Sequence, residues 1–306
     1  MFYQISIIIN HILKFGNFRI TDIPTKVYAE LLTAFESIKR IDTVFIPELI
    51  KLCEKMEGKL IIDSSDNPKY GLKNVCRKIK NLKTNGYHFG FKLVLFLWQV
   101  GDCRIPIGFG LWYKGSGSVC DLALAGLSRI RNEFKLKPKV VLADGEYCAD
   151  KVVKRITDYG WAFVFRWKCN RKLSNQQIKI QIPRGYGSSI GKLKNQTKVK
   201  IFRRKNRFFE TNRMLYEMPD VVRLYKIRWK IEETFRVLKS LIGIHRCQQH
   251  SIKAQEIFLW ICMITFSCLE QMSLLFGDSI YKAKSNVIFQ NVNIDNSILK
   301  QILAMK

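Results

Sequence analysis

The sequence predicts an α/β fold: a mixed sheet flanked by helices, interrupted by a small β-rich insertion and preceded by a helical N-terminal segment. Three observations carry this. Two short apolar runs, Lys59-Leu-Ile-Ile-Asp63 and Lys139-Val-Val-Leu-Ala-Asp144, have the length of buried strands and each ends in an acid. Two longer apolar runs meet at Gly101-Asp102, a hairpin signal. Leu224, Ile227, Ile231, Phe235, Leu238 and Ile242 recur at helical spacing beside a row of polar residues.

Each element follows in order. Residues 1–58 show helical periodicity around Tyr28–Ile38 and Ile46–Met56, with Pro47 suited to a first turn. The first acid-ended run is a strand, and 64–87 reads as a polar, basic loop. Phe89–Val100 and Arg104–Tyr113 are the hairpin strands, closed by Gly115–Gly117. Leu122, Leu124, Leu127, Ile130 and Phe134 mark a helix over 119–134. The second acid-ended strand follows, then a helix over Cys148–Tyr159 and a strand over Trp161–Trp167. Residues 168–220 are rich in Gly and Lys; Ile178–Ile182, Lys198–Phe202 and Arg207–Thr211 read as small strands. Residues 221–276 are helical and 277–306 a polar tail. The domain reading is therefore a core of 59–167 and 221–276, an insertion of 168–220, and the two terminal segments.

Composition narrows the function. A chain of 306 residues at 47% hydrophobic content can bury a sizeable core. The formal charge is +27, from 52 Lys and Arg against 25 Asp and Glu. Such a field attracts polyanions and repels basic partners. The cations cluster at 137–139, 166–172, 192–207 and 223–239, which favours nucleic acid over a merely solvated surface. Nine cysteines, an odd number without a Cys-x-x-Cys pair, argue against a disulfide framework and against a zinc site. His245 and His250 flank Cys247 without a second ligand pair. No signal peptide is evident. The apolar run Ile257–Leu269 is too short to span a bilayer and reads as a buried helix. A cytoplasmic protein with no membrane partner is expected.

The sharpest signal is Tyr225-x2-Arg228-x3-Glu232-x6-Lys239. At about 100° per residue these four side chains fall within roughly 60° on one helix. One carboxylate can hold a hard metal ion, and flanking cations can hold phosphates. Taken alone, Asp144 would read as a helix cap and Glu232 as a surface acid paired with Arg228 or Arg236. Their joint placement argues otherwise. Acids ending adjacent strands project from one edge of a sheet, where open α/β sheets place their ligands. Glu232 can reach that edge from a helix packed on the sheet. Three such carboxylates could hold two Mg²⁺ ions about 3.5–4 Å apart.

With these residues in hand, the chain resembles bacterial insertion-sequence transposases of the DDE type, in particular the "insertion sequence four" family, whose Y-x2-R-x3-E-x6-K motif matches at all four positions. Val-Leu-Ala-Asp144-Gly-Glu-Tyr and Lys-Leu-Ile-Ile-Asp63 also read like that family, and the resemblance covers roughly 59–275. It implies an RNase H-like core with a β-rich insertion before the Glu helix. It implies Asp63, Asp144 and Glu232 as the metal-holding catalytic acids. Asp66 competes for the first position, and Asp63 is preferred because it directly ends its apolar run. Tyr225, Arg228 and Lys239 carry over as DNA contacts near the scissile phosphate, with Arg236 beside them. Trp167 reads as a base-stacking residue or as a core aromatic, and Glu233 as surface.

The implied activity is metal-dependent cleavage of double-stranded DNA at transposon ends and strand transfer into target DNA. Mg²⁺ is the expected ion, with Mn²⁺ as a substitute, and a homodimer on DNA and nucleoid association in a bacterial cytoplasm are expected. A metal-dependent nuclease of the same fold and a decayed, DNA-binding relic are the competing readings.

Overall fold

The computed structural model describes residues 9–10, 12–13, 57–69, 74–81, 84–168, 171–182, 185–247 and 251–289. The N-terminal helices expected over Tyr28–Ile38 and Ile46–Met56 lie outside the described residues, as does 290–306.

A nine-stranded sheet organises the molecule. Its strands are β1 (Lys59–Pro68), β2 (Arg77–Lys80), β3 (Tyr87–Val100), β4 (Cys103–Trp112), β5 (Val140–Ala143), β6 (Phe163–Trp167), β9 (Tyr186–Lys192), β10 (Lys198–Arg204) and β11 (Arg207–Thr211). The short β7 (Lys172–Leu173) and β8 (Gln176–Gln177) pair separately. The helices are α1 (Val119–Asn132), α2 (Asp150–Asp158), α3 (Ile178–Gln181), α4 (Met218–Ile227), α5 (Trp229–Val237), α6 (Ile252–Phe276) and α7 (Ile280–Phe289). A single π-type turn, Leu238–Ile242, continues α5.

The sheet runs β2-β3-β1-β5-β6-β11-β10-β9, with β4 also on β3. β1, β5 and β6 are parallel neighbours and all other pairs antiparallel. The parallel centre consists of short apolar runs because it is covered on both faces. Leu60, Ile61, Ile62 and all of Val140–Ala143 are buried. Ile62 pairs with Ala143, so Asp63 and Asp144 leave the paired region side by side.

Several expectations need correction. Residues 64–87 are not one loop: β1 runs on to Pro68, and β2 lies within that range. The fourteen-residue β3 supplies partners along the whole of β1, from Lys59↔Gln99 to Pro68↔Gly90, so pairing overrides the polar sequence. Ile178–Ile182 is not a strand. Ile178–Gln181 is one helical turn, and β9, unforeseen, provides the third strand of its region. Within 168–220, β11 pairs with β6 and so extends the central sheet. The 277–306 tail begins with α7, a helix.

α6 is long and apolar enough to cross a membrane by length and composition, at 25 residues. Yet 72% of its apolar window is buried inside the molecule, and the side chains from Phe258 to Leu269 other than Trp260 pack into the core. Among the described residues, Cys76, Cys103, Cys120, Cys148, Cys247, Cys262 and Cys268 are not joined in disulfides.

Candidate active site

Arg228 sits at the junction of α4 and α5. The chain tightens there: Arg228 N–H donates to Tyr225 O and Ile231 N–H to Arg228 O, both three residues apart. The motif is thus carried by two helices and a π-type turn, not the single regular helix of the sequence reading. That change brings its members together rather than apart. Arg228 Nη1 donates to Asp63 Oδ2 at 2.5 Å, and Nη2 pairs with Glu232. One planar guanidinium thereby joins a strand acid to a helix acid 169 positions further along the chain (232 against 63). Its centre also lies 5.5 Å from the Tyr225 ring, which packs edge-on against Phe209.

Burial dominates the electrostatics. It pushes Asp63 up to about 6, and the nearby Asp144 and Glu232 charges add to that, while Arg228 opposes it. Asp144 is also raised, chiefly by burial, although it accepts the Glu146 N–H at 2.8 Å through Oδ1. Burial alone would lower Arg228, but Asp63, Tyr225 and Glu232 outweigh it and hold it charged. Burial lowers Lys239, and Asp66 is the charge that opposes this. Tyr225 is raised, again first by burial.

Asp63, Asp144, Glu232, Tyr225 and Arg228 therefore meet in one cluster, with Lys239 near enough to feel the Asp66 charge. Two sequence assignments fare differently. Trp167 is buried on β6, with the Arg171 guanidinium 4.1 Å over its ring, so it is placed as a core aromatic and not as a platform for a base. Glu233 is half-buried rather than surface: it pairs with Lys230 at 3.5 Å and with Arg104 at 3.6 Å. Arg236 is exposed on α5, one turn past Glu232.

Sequence reasoning missed Glu146 and Lys92. The Glu146 carboxylate accepts from Ser64 Oγ at 2.8 Å and from Lys92 Nζ at 3.0 Å. It pins the loop that presents Asp144 onto β1 and β3. The available signal was Lys92 itself, a lone cation inside the apolar run from Phe89 to Trp98.

Among the described residues no three His, Cys, Asp or Glu side chains are drawn tightly enough to hold a metal as they stand. The donor chemistry nonetheless fits a hard divalent cation, being carboxylate oxygen throughout. The raised Asp63 and Asp144 show carboxylates under-compensated by Arg228 alone, a deficit that a cation would relieve.

Strand-borne acids and a helix-borne acid beside cations form the kind of site that acts on the phosphodiester backbone of nucleic acid. A family model described as the transposase DDE domain matches residues 54–268, and the chain belongs to that family. It is accordingly a DNA transposase, with the divalent-metal dependence the family carries. No curated protein matches the chain. Among solved structures it is similar to the piggyBac transposase in a synaptic complex with hairpin DNA, at TM-score 0.54 and 10% identity over 98% of this chain and 71% of that one. That likeness shows the shared fold. The NurA nuclease from Sulfolobus solfataricus (TM-score 0.30, 11% identity, 88% of this chain and 99% of that one) and the catalytic domain of human endonuclease V (TM-score 0.27, 13% identity, 60% and 85%) are more distant.

Proposed function

We propose that this chain is an insertion-sequence transposase in which Asp63, Asp144 and Glu232 hold Mg²⁺, or Mn²⁺ in its place. The carrying observation is the Arg228 fork, which gathers Asp63 and Glu232 beside Asp144, just past the last paired residues of β1 and β5. The bound ions supply activation of a water or 3′-hydroxyl and stabilisation of the leaving 3′ oxygen. The protein's own residues do the rest. Arg228, Lys239 and Arg236 meet the phosphates flanking the scissile bond, and Tyr225 props Arg228 against Phe209. No side chain forms a covalent bond to DNA. Cleavage frees 3′-hydroxyls at the element's ends, and those hydroxyls attack target DNA. Two ends must be held and cut together, so the working form is a homodimer on DNA. Membership of the "insertion sequence four" group rests on the Tyr225, Arg228, Glu232 and Lys239 spacing.

The test uses a plasmid carrying the gene's own flanking DNA, purified protein and Mg²⁺, with Glu232→Gln in parallel. End-specific nicks and joined products that vanish in the variant are expected. Cutting without joining would leave a nuclease. Equal products from both proteins would remove Glu232 from the site.

A further inference from the structure

β1 continues past Asp63, and from Ser64 onward it has a strand partner only in β3. On the face opposite Asp63 this extension borders a groove of about 500 Å³ lined by Asp66, Lys78, Lys80, Asn81, Lys92 and Trp112. Asp66, Lys92 and Trp112 are register partners on β1, β3 and β4, so they share that face. Trp112 is held rigidly. Its Nε1 donates to Gly117 O at 3.1 Å, and the Arg77 guanidinium lies 4.4 Å over the ring. Arg77 is itself fixed by donation to Tyr113 O at 2.8 Å. Lys78 and Lys80 are exposed at the groove's outer wall.

We infer that this groove binds an unpaired nucleotide of the DNA strand leaving the candidate active site. The inference rests on the transposase reading and extends it to a second subsite. With Lys92 held by Glu146, Lys78 and Lys80 against Asp66 leave the groove net positive and favour a phosphate-bearing occupant. The indole carries the Arg77 guanidinium at 4.4 Å and the Lys92 ammonium at 5.9 Å from its ring centroid, and a base would stack on it beside these cations. The volume falls in the range of small-ligand sites, roughly 300–1,000 Å³, rather than that of a duplex channel. Position decides between paired and unpaired DNA. Asp66 lies three residues beyond Asp63, about 10 Å of strand, and side chains alternate along it. DNA running from the acids to the groove must therefore turn over the open side of β1. Duplex DNA, with a persistence length of about 150 base pairs, does not make that turn within one or two nucleotides, whereas a single strand does. Lys92 belongs to both places, because its Nζ holds the Glu146 carboxylate whose backbone N–H orients Asp144.

The test measures binding of the full chain, without metal, to a blunt duplex and to the same duplex bearing a four-nucleotide single-stranded tail. The tailed duplex is expected to bind roughly tenfold tighter. Trp112→Leu should abolish the preference and Trp112→Phe should keep most of it. Lys78→Ala with Lys80→Ala, both at exposed positions, should lower the slope of log affinity against log salt for the tailed duplex by about one to two. Equal affinity for the two duplexes, or a preference untouched by both the Leu and the double Ala variants, would overturn the inference. Plasmid nicking by wild-type protein is read separately. Nicking without tail preference removes the groove and keeps the transposase reading; tail preference without nicking does the reverse.

Discussion

Arg228 holds two carboxylates with one guanidinium, and the geometry of that fork is what Lys cannot copy. A Lys ammonium is a point charge and would satisfy Asp63 or Glu232 but not both in plane. Arg228→Lys is therefore expected to slow nicking by about 10²-fold, the scale of losing one preorganised electrostatic contact, while the melting temperature moves little. A wild-type rate in the variant would show that the fork serves no purpose in turnover. A second residue-scale case lies away from the acids. Glu210 is fully buried on β11, accepting from Cys148 Sγ and from Arg171 Nη1 at 3.3 Å. Burial pushes its carboxyl up to about 7, against Arg171. The folded state thus binds this proton more tightly than the unfolded chain, whose carboxyl titrates near the ordinary value. Its contribution is fully present below about pH 4.3 and is lost as pH rises through about 7, at most roughly 4 kcal/mol. Melting temperature should fall between pH 5 and 8 in the wild type, and Glu210→Gln should flatten that fall. Parallel curves for the two proteins would mean that Glu210 is ionised in the fold throughout.

At the scale of elements, helix α1 lies on β3 and β4 through glycine. A Cβ at Gly126 would stand 2.0 Å from Phe96 Cζ, and one at Gly110 3.0 Å from Leu122 Cβ. Gly126→Ala sets two effects against each other. Helix propensity gains about 1 kcal/mol, and overpacking a buried aromatic costs about 1–3 kcal/mol. An overlap that deep makes the second win, so the denaturant midpoint should fall, and Phe96→Leu in the same chain should recover part of the loss. Additive losses in the double variant would sink this account. A second contact joins three elements. Arg104 on β4 is bidentate to Glu270 on α6, at 2.6 and 2.5 Å, and reaches Glu233 on α5. These contacts also show what the sequence could convey. The acid-ended strands β1 and β5, the β3–β4 hairpin and the β10–β11 pair were legible because local apolar pattern and turn residues agree with their pairing. The second half of β1 was not, since Ser64 to Pro68 become a strand only through the non-local length of β3. β9 escaped for the same reason: its Gly- and Ser-rich sequence is ordered by β10. Of the site, the motif spacing disclosed Tyr225, Arg228, Glu232 and Lys239. The kinked geometry at Arg228 stayed hidden, because tightening a helix leaves the residue interval unchanged. Trp167 was ambiguous for a further reason: an aromatic at a strand end reads alike in a core and on a surface.

For the molecule as a whole, the dominant quantity is charge. A net +27 opposes its own compaction, and the core of sheet and α6 must hold against it. Inside the fold, Arg104 pairs with Glu270 and Arg171 with Asp150 and Glu210, while the buried Lys69, Arg203 and Lys284 are held by backbone carbonyls, so part of the surplus is carried within. The exposed cations include Arg236, Lys78, Lys80, Arg204 and Arg223, spread over both ends of the sheet. Such a surface binds DNA through phosphate contacts, and each contact releases a condensed counterion. Six to ten contacts would cost roughly 10³–10⁵ in affinity between 50 and 200 mM salt. Fluorescence anisotropy of a labelled duplex across that range, without divalent metal, measures the slope directly. A slope near −0.9 per contact should shrink by about one for each surface cation removed along the DNA path, and Arg236→Ala is the first to try. Removing a cation off that path should leave the slope unchanged, so a panel of single Ala variants traces where the duplex lies. A flat salt response in the wild type would mean that the +27 surplus does not face DNA, and the interface would then have to be sought among its uncharged surfaces.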